Sequence, residues 1–487
     1  MNTPLRRMSR IVALLFAALL VSSTVIQFVQ APMLDARADN RRTLLDNYSR
    51  ARGAIIVGDT PIARSVPTPN EEIRYLRTYP QAPLYSQVTG YFSYTYGAGG
   101  GLEGADDDLL SGSADQLFYR RVTDLLTGKQ ASGASLRLTI NAKAQAAADR
   151  ALGDQRGAVV ALDPKTGAIL AMVSHPQYDP NLLASHDQKA VTQAWKSLTS
   201  TSSNQPIINR AIAGNLYPPG SVFKIVTAAA ALDDKVVDQS SSIPAPARLD
   251  LPQTSVTLPN YDLAPCGPGG RTTLQHALEI SCNTAMGYLG LQLGAQRLGE
   301  AAAKFGFGET LRIPTRVEPS VFPTGADQAA TARSAIGQES VRVTPLQVAM
   351  IAAAVADKGV VMRPYLVQEV LGSDLETIDQ AKPEQLSVAM TPQTAALLTS
   401  MLTSVVDNGT GQPAAIPGVK VAGKTGTAEQ GNGKPPHAWF TSFAPADDPQ
   451  VAVAVVVEDG GNAGNEAAGG RNAGPVAKAV MEAVLNR

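Results

Sequence analysis

The stretch Tyr217-Pro218-Pro219-Gly220-Ser221-Val222-Phe223-Lys224 leaves the backbone little choice. The prolines fix their own φ and restrict the residue before them, and Gly220 permits a tight turn. An apolar, helix-forming run follows: Val222, Phe223, Ile225 and Val226, then Ala228 to Ala231. Proline and glycine ahead of a periodic apolar run mark a helix start. Ser221 is therefore expected at a helix N-terminus, with Lys224 one turn later on the same face. A hydroxyl and an amine then stand side by side, near the unpaired N–H groups of the first turn.

The chain has 487 residues, enough for two or three domains, and its 41 basic and 42 acidic residues nearly cancel. No basic stripe suggests nucleic acid as a partner. Ile11 to Val29 is almost wholly apolar and follows Arg6, Arg7 and Arg10. A run of this length spans a bilayer as a helix, and the arginines keep its N-terminal side in the cytoplasm. Residues 1–10 read as a cytoplasmic tail and 11–31 as a transmembrane signal-anchor helix, with Pro32 onward outside the cytoplasm. The rival is a cleavable signal peptide cut after Val29-Gln30-Ala31. The run is longer than a usual signal core, and Pro32 would follow the cut. Cys266 and Cys282 are the only cysteines. Outside the cytoplasm they can form a disulfide or remain separate thiols. A bridge would close a loop of about 15 residues, which the chain-entropy model values at roughly 3 kcal/mol.

After a charged lead from Asp35 to Arg52, the stretch Arg52 to Asp59 reads as a strand ending in a Gly58-Asp59 turn, with Pro61 to Val66 returning. Glu103 and Asp106 to Asp108 read as a solvated acidic loop; no His or Cys accompanies them to suggest a metal. Alternating Leu136, Leu138 and Ile140 mark a strand, and Ala142 to Leu152 a helix. Gly157 to Leu162 and Ala168 to Val173 form a hairpin. Leu274 to Gly294 and Val348 to Ala356 are helix-like. Val419 to Thr427, Ala438 to Phe443 and Val451 to Val457 are strands, Gly460 to Gly474 a mobile loop, and Gly474 to Leu485 a final helix. The fold class is α+β: one antiparallel sheet, completed by distant segments and covered by helices.

Two further motifs give Ser221 and Lys224 a context. Ser281-Cys282-Asn283 lies in the helical middle, and Lys424-Thr425-Gly426-Thr427 ends a predicted strand. In this order the three motifs resemble those of the penicillin-binding protein and serine β-lactamase superfamily. Residues 135–487 look like a penicillin-binding transpeptidase domain, and 32–134 like the elongated, non-catalytic pedestal of its class B, monofunctional members. Nothing resembles a glycosyltransferase domain.

The resemblance implies the roles. Ser221 is the acylated nucleophile, Lys224 accepts its proton, and Ser281 relays a proton to the leaving amine. Asn283 holds the substrate amide, Lys424 with Thr425 and Thr427 orients the substrate carboxylate, and Gly426 lets the strand come close to the ligand. The N–H groups of Ser221 and Thr427 form the oxyanion hole. A lysine base must be neutral, which burial and a neighbouring cation such as Lys424 promote. The histidines, His175, His186, His276 and His437, read as structural. A D,D-transpeptidase of peptidoglycan is expected, acting on D-Ala-D-Ala stems, acylated by β-lactams and needing no metal or cofactor. A polytopic glycan polymerase is the implied partner. The alternatives are a hydrolytic D,D-carboxypeptidase or β-lactamase, a β-lactam sensor, and an inactive division scaffold.

Overall fold

The computed structural model describes residues 2–30, 33–34, 48–69, 73–117, 132–214, 216–431 and 433–486. An N-terminal helix, Asn2–Thr24, continues as a π-helical turn through Val25–Val29. Thr3–Val29 is long and apolar enough to cross a membrane. The small residue Ala31, Pro32 and most of the charged lead from Asp35 fall outside the described residues.

A six-stranded sheet comes next. Ile55–Val57 and Thr60–Pro67 pair as the expected hairpin, and Tyr75–Thr78 extends it on one side. On the other side Ser135–Leu138 runs parallel to Ile55–Val57, followed by Val367–Leu371 and Thr377–Gln380. The strand 135–138 and the two downstream strands thus share a sheet with the expected pedestal. An Arg137–Glu369 ion pair at 2.8 Å joins positions 232 residues apart.

The acidic segment is not a solvated loop. Gly101–Ala105 and Asp107–Ser111 are short helices, and Glu103 is fully buried. Arg52 Nε and Arg77 Nε each lie 2.6 Å from a different Glu103 oxygen, and the Tyr79 hydroxyl donates to Oε1 at 3.2 Å. Arg52 also meets Asp107 at 2.6 Å and stacks 4.3 Å above the Phe92 ring. Burial pushes the Glu103 carboxyl up, but Arg77 and Arg52 outweigh it and hold the group below its usual range. The counter-charges lie 51 and 26 residues upstream, so no local pattern reveals them.

The second sheet is antiparallel throughout. Its strands are β1 (Gly157–Leu162), β2 (Ile169–His175), β3 (Ala422–Ala428), β4 (His437–Ala444) and β5 (Val451–Val457), ordered β3-β4-β5-β1-β2. The helices around it are α1 (Ala142–Leu152), α2 (Lys224–Asp233), α3 (Leu274–Glu279), α4 (Asn283–Lys304), α5 (Pro345–Ala356), α6 (Pro392–Asp407) and α7 (Gly474–Val484). Both faces are covered, so β1 and β5 are buried at every residue. Alternation then divides the side chains. Val159 and Ala161 pack with residues of α1 and α7, whereas Ala158 and Val160 join the core that contains α2 and α5.

Two helix and loop expectations change. The apolar run from Leu274 to Gly294 is two helices, broken at Ile280–Cys282, with Ser281 at φ +60°. The glycine-rich segment after β5 is not a free loop. It forms a 3₁₀ stretch, Glu458–Glu466, and a short helix, Gly469–Asn472, whose Gly469 and Gly470 are buried.

Glu103→Gln leaves the buried Arg77 without its counter-charge and Arg52 with Asp107 alone, and breaking a buried pair costs about 3–5 kcal/mol. The variant should unfold at a clearly lower denaturant midpoint than the parent chain. An unchanged midpoint would show that Glu103 does not hold this unit together.

Candidate active site

Ser221 lies in a 3₁₀ turn, Gly220–Phe223, that runs straight into α2. Surrounding backbone clamps the turn. Tyr217 and Val343 exchange backbone hydrogen bonds of 3.0 and 2.8 Å, and Gly220 N–H donates to the Gly337 carbonyl at 2.9 Å. A Cβ on Gly337 would lie 2.0 Å from the Gly220 oxygen, so this approach requires glycine. Trp439 Nε1 donates to the Pro218 carbonyl at 3.1 Å. The Tyr217 hydroxyl donates to Glu458 Oε1 at 2.6 Å, and Glu458 also pairs with Arg210 at 2.8 Å and with Arg156.

Lys224 and Lys424 are both fully buried. Lys224 Nζ donates to the Ser281 carbonyl and to Asn283 Oδ1, each at 2.7 Å, and stands 3.3 Å from Ser281 Oγ. Lys424 Nζ donates to Ser281 Oγ at 2.9 Å and to the Thr425 carbonyl at 3.0 Å. Ser281 Oγ therefore sits between two amines whose partners are all neutral. Burial, then the Lys424 charge, hold the Lys224 amine well below the ordinary lysine range. Burial lowers Lys424 to about 7. The Lys424 charge adds to burial in disfavouring the charged form of Lys224.

Ser281 reaches this position because α3 and α4 meet at a corner. Asn260 Oδ1 accepts from the N–H groups of Asn283 and Thr284, both at 3.0 Å, and its Nδ2 donates to the Pro246 and Ala264 carbonyls. Cys282 is bonded to Cys266, so the alternative left open by the sequence is resolved as a disulfide. The segment 260–266 is thus tethered to the corner at both ends. Asn283 is engaged on both sides of its amide, since Nδ2 donates to the Pro259 carbonyl at 3.1 Å. It orients Lys224, a contact its motif does not announce. In the sequence Asn260 has no functional signature; within Pro259-Asn260-Tyr261-Asp262 it signals only a turn.

β3 is an edge strand, so one row of its backbone groups is unpaired with the sheet. Gly426 faces the nucleophile turn. A Cβ there would lie 2.9 Å from Trp439 Cβ and 3.0 Å from Val222 Cγ1. The close approach attributed to a ligand is one made by the protein itself. Gly220 repeats it from the other side, where a Cβ would meet the Thr427 oxygen at 2.8 Å. Thr425 is buried and hydrogen-bonds Thr410 at 2.8 Å, whereas Thr427 is half-buried. Gly469 packs so closely behind β3 that its Cβ would meet the Gly426 oxygen at 2.4 Å. The histidines have other partners: His175 pairs with Asp149, His276 with Glu279, and His437 accepts from the Asp459 N–H, while His186 packs against the Tyr48 ring. Among the described residues, no cluster of His, Cys, Asp or Glu could hold a metal ion.

Residues 157–482 match the penicillin-binding protein transpeptidase domain, and residues 52–136 match the penicillin-binding protein A dimerisation domain. The peptidoglycan D,D-transpeptidase PbpA of Mycolicibacterium smegmatis is 46% identical over 494 residues, covering 100% of this chain and 99% of the relative. The PbpA of Mycobacterium tuberculosis is 44% identical over the same shares. The solved structure of penicillin-binding protein A from M. tuberculosis as a ceftriaxone acyl-enzyme complex superposes with a TM-score of 0.87. It is 44% identical and covers 91% of this chain and 100% of that one.

Cys266→Ser removes one of the two tethers on the Ser281 corner. Penicillin acylation should slow by about tenfold, since small misplacements of reacting groups cost that much or more, while circular dichroism keeps the native fold. An unchanged acylation rate would show that the bridge does not position the corner.

Proposed function

The chain belongs to the penicillin-binding protein transpeptidase family, and on that premise we propose that it is a peptidoglycan D,D-transpeptidase with Ser221 as its nucleophile. The observation that carries the assignment of roles is the Ser281 hydroxyl lying between the buried Lys224 and Lys424 amines. Neutral Lys224 accepts the Ser221 proton as Oγ bonds to the carbonyl carbon of the penultimate D-alanine. The N–H groups of Ser221 and Thr427 take the negative charge that develops on the carbonyl oxygen. The C–N bond then breaks. The departing D-alanine amine receives the proton from Lys224 by way of Ser281, which can accept from one amine and donate onward. In the second half the amine of a neighbouring stem attacks the ester, gives its proton back along the same route, and frees Ser221.

Lys424, with Thr427 and through Thr425, holds the terminal carboxylate, and Asn283 offers its remaining N–H to the stem amide. An extended stem lying along the free edge of β3 adds one strand to the sheet. β-Lactams would acylate Ser221 in the same position and block it. The apolar N-terminal helix anchors the protein, with residues 1–10 cytoplasmic and residues 32–134 and 135–487 outside. The pedestal is the surface for a polytopic glycan polymerase, whose product this enzyme cross-links; failure to co-purify with any such polymerase would count against that pairing.

Mass spectrometry after penicillin treatment should find one penicilloyl adduct, on the peptide carrying Ser221, and none in Ser221→Ala. Labelling that persists in the variant assigns the nucleophile elsewhere, and rapid turnover of penicillin would indicate a hydrolase.

Acylation should depend on pH from both sides. Below the depressed Lys224 value the base is protonated and the rate falls. Above about 7 Lys424 loses the charge that holds the carboxylate, and the rate falls again. Lys424→Arg should flatten the alkaline limb, since a guanidinium keeps its proton. A wild-type rate that does not fall above about pH 7 would show that the Lys424 charge does not hold the carboxylate.

A further inference from the structure

The turn Gly409-Thr410-Gly411 closes the C-terminal end of α6, behind the site. The Gly409 and Gly411 N–H groups both donate to the Val405 carbonyl, at 3.1 and 2.9 Å, so the turn is fixed to the helix. From there Thr410 reaches both walls that carry the chemistry. Its N–H donates at 3.1 Å to the carbonyl of Glu279, which lies two residues before Ser281. A Cβ on Gly409 would lie 2.4 Å from the same oxygen, so the ends of α6 and α3 touch. Ser404, in the last turn of α6, adds a 2.5 Å hydrogen bond to Glu279 Oε1. Toward β3 the Thr410 hydroxyl lies 2.8 Å from the hydroxyl of Thr425, the residue after Lys424. Thr410 therefore ties the Ser281 corner to the strand that carries Lys424.

The Thr425 side chain has one freedom left. Its methyl packs against Gly470, where a Cβ would lie 3.2 Å from Thr425 Cγ2, and its Oγ1 lies 3.5 Å from Lys424 Nζ. The position of the oxygen is set, and only the hydroxyl hydrogen can turn. A hydroxyl carries one hydrogen and two lone pairs. If Thr425 donates to Thr410, it shows a substrate carboxylate lone pairs alone. If Thr410 donates, the Thr425 hydrogen is left for the carboxylate. Among the described residues the Thr410 hydroxyl has no other hydrogen-bond partner, so its hydrogen is available for this bond. We propose that Thr410 is a positioning residue for the terminal carboxylate of the donor stem: it donates to Thr425 Oγ1 and turns the Thr425 hydrogen into the site. The assignment rests on the transpeptidase reading above and adds to it a residue that the three motifs do not contain.

The test uses the full chain and two synthetic donor peptides. One ends in D-Ala-D-Ala with a free carboxylate, and in the other that carboxylate is converted to a methylamide. Release of the terminal residue is followed for both. The wild type should favour the free carboxylate by about tenfold or more in kcat/KM, the size of a hydrogen bond to a charged group. Thr410→Val keeps the shape of the side chain and removes the hydroxyl. It should cut that preference by about fivefold, the worth of one neutral hydrogen bond, with the loss confined to the carboxylate peptide. Thr410→Ser should restore it. In a Thr425→Val background, Thr410→Val should lower the preference no further, because its effect passes through Thr425. Thr410 is exposed, so these replacements leave the core intact, and a penicilloyl adduct still forms on Ser221 in each. Equal losses on both peptides, no recovery with serine, or additive losses in the double variant would overturn the proposal while leaving the chemistry at Ser221 intact. Absence of both a penicilloyl adduct and D-alanine release in the wild type would remove the transpeptidase reading and this proposal with it.

Discussion

Two amines buried within reach of one hydroxyl set the conditions for everything around them. A buried ammonium without a carboxylate beside it is expensive to keep charged. Lys224 and Lys424 have only carbonyls, an amide oxygen and hydroxyls as partners. A carboxylate in their place would fix both protons and leave no base. The neutrality of the surroundings is therefore as much a part of the site as the lysines. It explains why the corner that carries Ser281 is held by Asn260, a neutral cap, and by a disulfide, rather than by the ion pairs used freely elsewhere in the chain.

The contrast with the pedestal is instructive. There Glu103 is as deeply buried as the lysines, yet two arginines keep it ionised and its role is to hold strands and helices together. Near the nucleophile turn a similar device recurs one layer out. Glu458 gathers Tyr217, Arg210 and Arg156, fixing the turn without bringing a negative charge to Lys224. Charge pairing builds the frame, and its exclusion tunes the centre.

What could be read from sequence was what is local. The turn before α2, the strands β1 to β5 and helices α1, α5 and α7 follow from proline, glycine and period, and the order of three short motifs was enough to suggest the family. The break at Ser281 has no local signal, because Leu274 to Gly294 is strongly apolar and helix-like, and the Asn260 cap and the Cys266 bridge at this corner come from outside the run. Glu103 looks solvated in the sequence because its arginines are distant. The glycines after β5 look loose in the sequence, although Gly469 is glycine because β3 passes within contact of it. In each case a local pattern was overruled by a neighbour that the fold supplies from far along the chain.

The six-stranded sheet also imposes an order in time. Synthesis delivers Ile55–Val57 and Thr60–Pro67 early, yet two strands of their sheet, Val367–Leu371 and Thr377–Gln380, emerge about 300 residues later. At ordinary rates of translation that interval is on the order of tens of seconds. The first-made part of the chain cannot complete its sheet before most of the enzymatic part exists. A chain cut short anywhere before residue 367 is left with an open sheet edge, a surface that invites the company of quality control.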